Sequence, residues 1–208
     1  MKGKKQEARG ERQETPGDKI VFYSKRNEVF LRDGLVHKRA GSAGAAAREA
    51  AILRALHARG VAVPRVLDCR ENLLALEYLP GVPLPDIIER GGYDPGALAA
   101  ALCDWFEAFY KAAAAGELRG DVNGRNFLYD SAKIYSVDFE ERRHGPKARD
   151  AGRLAAFIAT YDTVDPQRQS DLAARFTREF MARFRCSAEE IAEEYEMERI
   201  SMRKRRGG

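Results

Sequence analysis

The segment GDVNGRNFLYDSAKIYSVDFE, from Gly120 to Glu140, contains the pattern that best predicts the fold of this chain. Asp121 is followed five positions later by Asn126, and an apolar run then ends at Asp138. Phosphoryl-transfer centres use one carboxylate for the acceptor hydroxyl, and an amide and a second carboxylate for Mg²⁺. The spacing therefore predicts such a centre, and the alternative is that Asp121 and Asn126 only build a polar turn. An unpaired carboxylate at the end of an apolar strand is costly, so Asp138 favours the functional interpretation.

Length and composition limit the class of protein. The chain has 208 residues, of which 44% are hydrophobic and 33% charged, which suits one domain or two small lobes that share a cleft. No apolar run approaches the roughly 20 residues that cross a bilayer, and the charged N-terminus does not resemble a secretory signal. We therefore expect a cytoplasmic protein. The scattered cysteines and histidines predict neither a disulfide framework nor a zinc site; they are Cys69, Cys103, Cys186, His37, His57 and His144.

Positive charge is concentrated at the two ends of the chain. Residues 1–19 carry six Lys and Arg against four Asp and Glu, and residues 199–208 carry five against none. With a net charge of +4 overall, the middle is left at about −3. Residues 1–19 contain few large apolar side chains and are predicted to be disordered. The basic C-terminal tail, residues 199–208, suggests a contact with RNA, a protein or a phosphate, and the alternative is a solvated helix end whose cations complement the helix dipole.

The first part of the chain predicts a small antiparallel sheet with one helix. Short β-prone runs alternate with turn signals, among which Asp33-Gly34 is a strong hairpin signal because its turn needs positive φ. A helix then ends before Gly60, and two more strands follow. The predicted strands are Ile20–Tyr23, Val29–Arg32, Leu35–Arg39, Arg65–Cys69 and Leu73–Leu79, and the helix is Ala45–Arg59.

Within this helix, Glu49 shares the apolar stripe of Ile52, Leu53 and Leu56 by its i,i+3 and i,i+4 spacing. A carboxylate on a core-facing stripe is costly unless a cation or hydrogen-bond donors meet it. The cation that we expect is Lys38, which strand alternation places on the same face as Val36. The alternative is that Lys38 is an exposed strand lysine.

The second part of the chain predicts helices around the Gly120–Glu140 segment. Pro80-Gly81 marks a hinge after the last strand, and Asp94-Pro95 supplies a cap and a first-turn proline for the next helix. The aromatic stripe of that helix predicts core packing, not a surface for stacking bases. The predicted helices are Asp94–Ala115, Ala148–Tyr161, Asp171–Phe184 and Ala188–Lys204.

This order of elements resembles protein-kinase-like folds, and three segments carry the resemblance. The segment GDVNGRNFLYD…IYSVDFE is similar to the catalytic and metal loops of RIO-type kinases, aminoglycoside and choline phosphotransferases, and the small kinase of the KEOPS tRNA-modification complex. Arg48–Leu84 and the terminal ERISMRKRR resemble that KEOPS kinase most. The resemblance implies an α+β, bilobal fold with a small antiparallel-sheet N-lobe at residues 20–80 and a reduced helical C-lobe at residues 81–198.

The resemblance also implies which residues meet the nucleotide. Lys38 would hold the α- and β-phosphates of ATP, and Glu49 would position Lys38. Glu77 and Leu79 would contact the adenine edge through backbone groups at the hinge.

For the chemical step, the resemblance implies roles for four further residues. Asp121 would accept or orient the acceptor hydroxyl, while Asn126 and Asp138 would hold Mg²⁺ or Mn²⁺ between the phosphates. Asp150 would fix the catalytic loop by accepting backbone N–H bonds.

Several positions depart from the family pattern. The turn Ser24–Asn27 lacks glycine, which leaves Lys25 or Arg26 as the candidate phosphate contact. Arg119 stands where the family usually has histidine, and Glu140 replaces the glycine of the metal triplet. Glu140 is open to two interpretations, an extra metal or substrate contact and a solvated loop acid. The stretch before Asp150 is too short for a phosphorylated activation loop, and no A-P-E motif follows.

We therefore expect an ATP- and Mg²⁺-dependent phosphotransferase, most readily an atypical serine/threonine protein kinase. One alternative is a phosphotransferase for a small molecule such as an aminoglycoside, a sugar or choline. Another is an ATP-hydrolysing partner in a tRNA-modification assembly, and the missing glycines also raise the alternative of a pseudokinase.

Overall fold

The computed structural model describes residues 20–22, 27–140 and 143–206, with the side chain of residue 206 left out. The predicted disordered segment at residues 1–19 lies outside the described residues, as do Lys25 and Arg26.

The first part of the described chain is a five-stranded antiparallel sheet. Its strand order is β1-β2-β3-β5-β4. Lys38 lies near the end of β3, opposite Val29 of β2 and Leu74 of β5. The Asp33-Gly34 turn has φ values of 51° and 75°, which confirms the hairpin predicted there. The strands are β1 (Ile20–Phe22), β2 (Glu28–Arg32), β3 (Leu35–Arg39), β4 (Val66–Arg70) and β5 (Leu73–Glu77).

One helix, α1 (Ala43–Ala58), packs against β4 and β5. It begins two residues earlier than predicted, because Oγ of Ser42 accepts a hydrogen bond from N–H of Ala45 and caps the helix. Its buried face includes Glu49, as the stripe predicted, together with Ala46, Ala50, Leu53 and Leu56. Ile52 is only partly buried.

The second part of the described chain is mainly helical, with three short strands in one small sheet and two in another. A 3₁₀ turn, Gly124–Asn126, leads directly into β8. The elements are β6 (Val82–Pro83), α2 (Leu84–Arg90), α3 (Pro95–Ala112), β7 (Glu117–Leu118), β8 (Phe127–Tyr129), β9 (Ile134–Ser136), β10 (Arg143–His144), α4 (Ala148–Thr160), α5 (Pro166–Phe184) and α6 (Ala188–Arg206).

Helices α2, α5 and α6 also differ from the prediction. Helix α2, which has seven residues and no side-chain cap, was not predicted. Helix α5 begins at Pro166 and not at Asp171, because Asp165 accepts a hydrogen bond from N–H of Arg168 and proline fits the first turn. Helix α6 continues to Arg206, so the part of the basic tail that the structure describes is the last turns of a helix.

The core of the second part is aromatic. Trp105, Phe106 and Phe109 of α3 are buried, which confirms that this stripe is core. They meet Phe127 of β8 and Phe139 just after β9. The indole N–H of Trp105 also donates to the carbonyl of Ala62, at 3.0 Å, and so ties the helical part to the loop before β4.

The cysteines are free, as expected. Among the residues that the structure describes, every helix is too short or too polar to cross a membrane.

Candidate active site

Lys38 and Glu49 form the predicted ion pair inside the first part of the chain. Nζ of Lys38 lies 2.9 Å from each carboxylate oxygen of Glu49. Lys38 is 5% exposed and Glu49 only 2% exposed. Burial alone would lower the pKa of Lys38, but Glu49 and Asp138 outweigh it and raise that pKa above its ordinary value. The lysine is therefore a fixed cation, not an exposed strand lysine.

The same lysine reaches Asp138, in the second part of the chain. Oδ1 of Asp138 lies 2.7 Å from Nζ of Lys38, and the Asp138 side chain is 42% exposed. The backbone of Asp138 has φ of 66°, a left-handed conformation that is costly for a residue with a side chain. N–H of Phe139 donates to Oε1 of Glu49 at 3.2 Å, a second link between the two parts. Lys38, Glu49 and Asp138 therefore form one connected cluster.

Asp121 and Asn126 lie in the loop and 3₁₀ turn that precede β8. Oδ1 of Asp121 accepts from N–H of Asn123 at 3.2 Å, so the polar turn considered as an alternative is present. The side-chain N–H of Asn126 donates to the carbonyl of Asp121 at 3.3 Å. N–H of Val137 donates to the carbonyl of Asn126 at 3.0 Å. This bond places the turn beside Asp138, because Val137 is its neighbour in the chain.

The donor set beside Lys38 fits a hard divalent cation. Asp138 and Asn126 offer carboxylate and amide oxygens, which are the ligands that Mg²⁺ prefers. One carboxylate oxygen from each of Glu49, Asp138 and Glu140 also lies within 4.8 Å of the others. The residues present are therefore compatible with the metal that the sequence pattern implies.

Arg119 is the residue of this region whose role the sequence did not reveal. It is 1% exposed. Its Nη2 donates to the carbonyls of Val137 and Asp138 at 2.6 and 2.8 Å, and its Nε donates to Oγ of Ser136 at 3.0 Å. The guanidinium carbon lies 4.2 Å from the ring centroid of Phe139. Arg119 therefore holds the backbone of the segment that carries Asp138.

Charge supports the same interpretation of Arg119. Burial lowers its pKa, and Asp121, Asp138 and Asp150 act against that shift. Arginine stays protonated in proteins even when buried. The guanidinium is therefore a permanent cation among carboxylates.

Asp150, at the start of α4, accepts backbone N–H bonds from the loop that carries Asp121, as the resemblance implied. Its two oxygens accept from N–H of Arg119 at 2.8 Å and from N–H of Gly120 at 3.2 Å. Burial raises its pKa, although these hydrogen bonds oppose the rise. A third donor, not predicted from the sequence, is the Tyr110 hydroxyl at 2.9 Å. Only its place on the aromatic face of α3 distinguished Tyr110 in the sequence.

Tyr161, directly after α4, contacts the loop between Asp121 and Asn126, which the sequence did not predict. Its hydroxyl oxygen accepts from N–H of Gly124 at 2.9 Å. A Cβ on Gly124 would lie 2.6 Å from that oxygen, so the loop needs glycine at this point.

Glu140 is exposed, yet its carboxylate reaches the cluster. Its Oε1 lies 2.7 Å from Nζ of Lys38 and accepts a hydrogen bond from Nδ2 of Asn27. Glu140 is therefore a partly solvated acid that also pairs with Lys38, and its role as a metal or substrate contact stays a prediction.

Glu77 and Leu79 lie where the sheet joins the second part of the chain. Glu77 ends β5 and pairs with Leu35, three residues before Lys38 on β3. N–H of Glu77 donates to the carbonyl of Arg65 at 2.9 Å, and N–H of Arg65 donates to the Glu77 carboxylate at 3.2 Å. Leu79 is buried. Their adenine-binding role stays a prediction.

Comparisons with known proteins agree with this architecture. A solved structure of the aminoglycoside phosphotransferase APH(2'')-Ib, bound to ADP, superposes with a TM-score of 0.58 at 10% identity, covering 86% of this chain and 91% of that one. This similarity shows the fold, which is kinase-like.

Two curated relatives match in sequence. The EKC/KEOPS complex subunit BUD32 of Encephalitozoon cuniculi (strain GB-M1) is 33% identical over 96 residues, which are 46% of each chain. The probable serine/threonine-protein kinase BUD32 homolog of Archaeoglobus fulgidus is 30% identical over 92 residues, which are 44% of this chain and 42% of the relative. The match thus spans less than half the length of either relative.

The family model of the RIO domain matches residues 18–144, which is more than half of the chain. That range contains Lys38, Glu49, Asp121, Asn126 and Asp138, the residues of the site just described. The chain belongs to the RIO domain family.

Proposed function

We propose that this chain is an ATP-dependent phosphotransferase that transfers the γ-phosphoryl group to the hydroxyl of a protein serine or threonine. The observation that carries the proposal is the position of Lys38 between Glu49 and Asp138. Nζ of Lys38 joins the buried carboxylate of one part to the partly exposed carboxylate of the other, at 2.9 and 2.7 Å. Phosphoryl transfer depends mainly on positioned charge, and a fixed cation beside hard-metal ligands supplies it.

We assign the nucleotide contacts as follows. Lys38 holds the α- and β-phosphates, and Glu49 fixes the position of its ammonium group. Glu77 and Leu79 contact adenine through backbone groups. Asn126 and Asp138 hold Mg²⁺, or Mn²⁺, which when bound neutralises charge on the phosphate oxygens.

Asp121 is the residue that we assign to the acceptor. Its carboxylate orients the hydroxyl and accepts the proton as the oxygen attacks phosphorus. The loop that carries it is held at several points, by Asp150 through the N–H groups of Arg119 and Gly120 and by Tyr161 through Gly124. Such fixed positioning contributes to catalysis by reducing the entropy lost on reaching the transition state.

The test compares wild-type protein with Asp138→Asn in an assay of ATP turnover and autophosphorylation with Mg²⁺ and with Mn²⁺. Asp33→Asn is the matched control, because Asp33 is an exposed acid in the β2–β3 turn, where asparagine tolerates positive φ. We expect Asp138→Asn to lose at least about a hundredfold in turnover, by analogy with the loss of one charge-stabilising group elsewhere. Equal turnover by wild type and Asp138→Asn would overturn the proposal.

The acceptor needs a second measurement. A protein-substrate panel and a panel of aminoglycosides, sugars and choline should be offered to the same preparation with labelled ATP. The protein-kinase assignment predicts label in protein alone. Label in a small molecule would instead support the small-molecule phosphotransferase, whose fold this chain shares.

A second candidate is that the chain acts as an ATP-hydrolysing subunit of a larger assembly on tRNA. The observations that favour it are the similarity to the Encephalitozoon relative, which is named as a complex subunit, and the exposed basic end of α6. Met202 of that end is buried, so a deletion would disturb the fold. Arg203→Gln with Lys204→Gln is the better variant, since both side chains are exposed. An RNA affinity that is unchanged at two salt concentrations would exclude the RNA contact.

A further inference from the structure

The carboxylate of Glu140 occupies a donor of Lys38 that a nucleotide phosphate needs. A lysine ammonium has three N–H donors. Nζ of Lys38 lies 2.9 Å from Glu49, 2.7 Å from Asp138 and 2.7 Å from Glu140. Three carboxylates therefore match three donors. An incoming phosphate can bond to Nζ only if one carboxylate leaves.

Glu140 can leave Nζ of Lys38 at a lower cost than Glu49 can. Glu49 is buried on α1 and also accepts from N–H of Phe139, so moving it would leave a buried donor without its acceptor. The Glu140 side chain is 30% exposed. Its carboxylate also accepts from Nδ2 of Asn27, which directly precedes β2. Water can replace both of its bonds when it turns away.

The charge of Glu140 has opposite effects on the binding of free and metal-bound nucleotide. A free polyphosphate is an anion and would be repelled by the three carboxylates around Nζ. A divalent cation on the phosphates reverses this, because carboxylate oxygens are its preferred ligands. Oxygens of Glu49, Asp138 and Glu140 already lie within 4.8 Å of one another.

We propose that Glu140 is a specificity-determining residue that makes this site select the metal-bound nucleotide over the free nucleotide. Without metal, its carboxylate stays on Lys38 and excludes the phosphates. When the metal-bound nucleotide enters, Glu140 leaves Nζ and turns toward the cation. The inference rests on the proposed function, because it takes the anion that Lys38 receives to be a nucleotide phosphate.

The experiment measures nucleotide affinity and not turnover. A non-hydrolysable ATP analogue is titrated calorimetrically into the full chain, once with EDTA and once with excess Mg²⁺. The variants are Glu140→Gln, which keeps the shape of the side chain, and Glu140→Gly, which restores the residue usual in the family. Glu189→Gln is the matched control, since it removes the same charge from an exposed position on α6.

We expect both Glu140 variants to bind the metal-free analogue at least about tenfold more tightly than wild type, the effect of removing one like charge at short range near a surface. Affinity with Mg²⁺ should stay the same or fall. The factor by which Mg²⁺ increases the affinity for the analogue should therefore be at least about tenfold smaller than in wild type. Glu189→Gln should behave as wild type.

Two results would overturn the inference, and they differ in what else they remove. If wild type binds the analogue and both Glu140 variants show the same metal enhancement, Glu140 does not select the metal-bound form and the proposed function stands. If no protein binds the analogue with or without Mg²⁺, the proposed function fails together with the inference.

Discussion

The guanidinium of Arg119 donates to the backbone carbonyl of Asp138 at 2.8 Å, and so holds a residue whose φ of 66° is costly. The same group bonds to Val137 and Ser136 and lies over the ring of Phe139. Arg119 thus fixes, through several bonds, the backbone of the segment that carries Asp138.

Arg119→Lys tests this role while keeping the charge. Lysine cannot present a planar fork to several acceptors at once, so buried acceptors lose their donors. We expect the free energy of unfolding to fall by about 2 kcal/mol, measured by urea denaturation, and phosphoryl transfer to fall further than stability explains. The control is Arg54→Lys, an exposed position on α1. If Arg119→Lys matched wild type in both measurements, Arg119 would not position Asp138.

Substitutions in the Lys38–Glu49 pair should change stability and activity independently of each other. Lys38→Met leaves Glu49 buried without its cation, and we expect unfolding to require about 3 kcal/mol less. Glu49→Gln added to Lys38→Met removes the stranded charge and keeps an acceptor for N–H of Phe139. The double variant should regain most of the stability and none of the phosphoryl transfer, as shown by urea denaturation and ATP turnover. A double variant as unstable as Lys38→Met would contradict the argument.

Asp150 predicts a pH dependence whose sign can be stated. Burial raises the pKa of Asp150 above its ordinary value of 3.8, so the native state binds its proton more tightly than the unfolded state. The contribution of this group to stability is therefore present below pH 3.8 and is lost as the pH rises through the native pKa.

Asp150→Asn does not titrate and supplies the comparison. The excess free energy of unfolding of wild type over Asp150→Asn should shrink between pH 4 and pH 7, as followed by urea denaturation at each pH. Other groups titrate equally in both proteins and cancel. A difference that grows with pH would contradict the direction of the pKa shift.

Helices α4 and α6 pack so closely at Gly152 that a larger side chain does not fit there. A Cβ there would lie 2.6 Å from the carbonyl oxygen of Ile191 and 2.7 Å from the backbone nitrogen of Tyr195. Backbone atoms cannot turn aside, so Gly152→Ala should cost about 1–3 kcal/mol of stability. Gly44→Ala is the control, because it lies in α1 with only the end of the Arg48 side chain nearby. Helix propensity should make that control neutral or stabilising, and equal losses in both variants would refute the packing argument.

Local signals in the sequence predicted most of the elements. Asp33-Gly34 specified a hairpin, and the i,i+3 spacing of Glu49 with its apolar neighbours placed a carboxylate in the core. Where the predicted start of a helix was wrong, as for α1 and α5, a capping side chain marks the observed start. Asp165-Pro166 begins α5 by the same capping that was recognised at Asp94-Pro95.

The sequence by itself determined the elements and the residue types of the site, because hydrophobic period, caps and turn residues act within a few positions of the chain. The tertiary structure alone decided several partners that lie further apart in the chain than Lys38 and Glu49. Arg119 with Asp138, Tyr110 with Asp150 and Glu140 with Lys38 meet across 19, 40 and about 100 positions of sequence. No periodicity encodes such meetings. They follow from the packing of α3, α4 and β9 around the aromatic core, which brings buried donors and acceptors together because leaving them unpaired is costly.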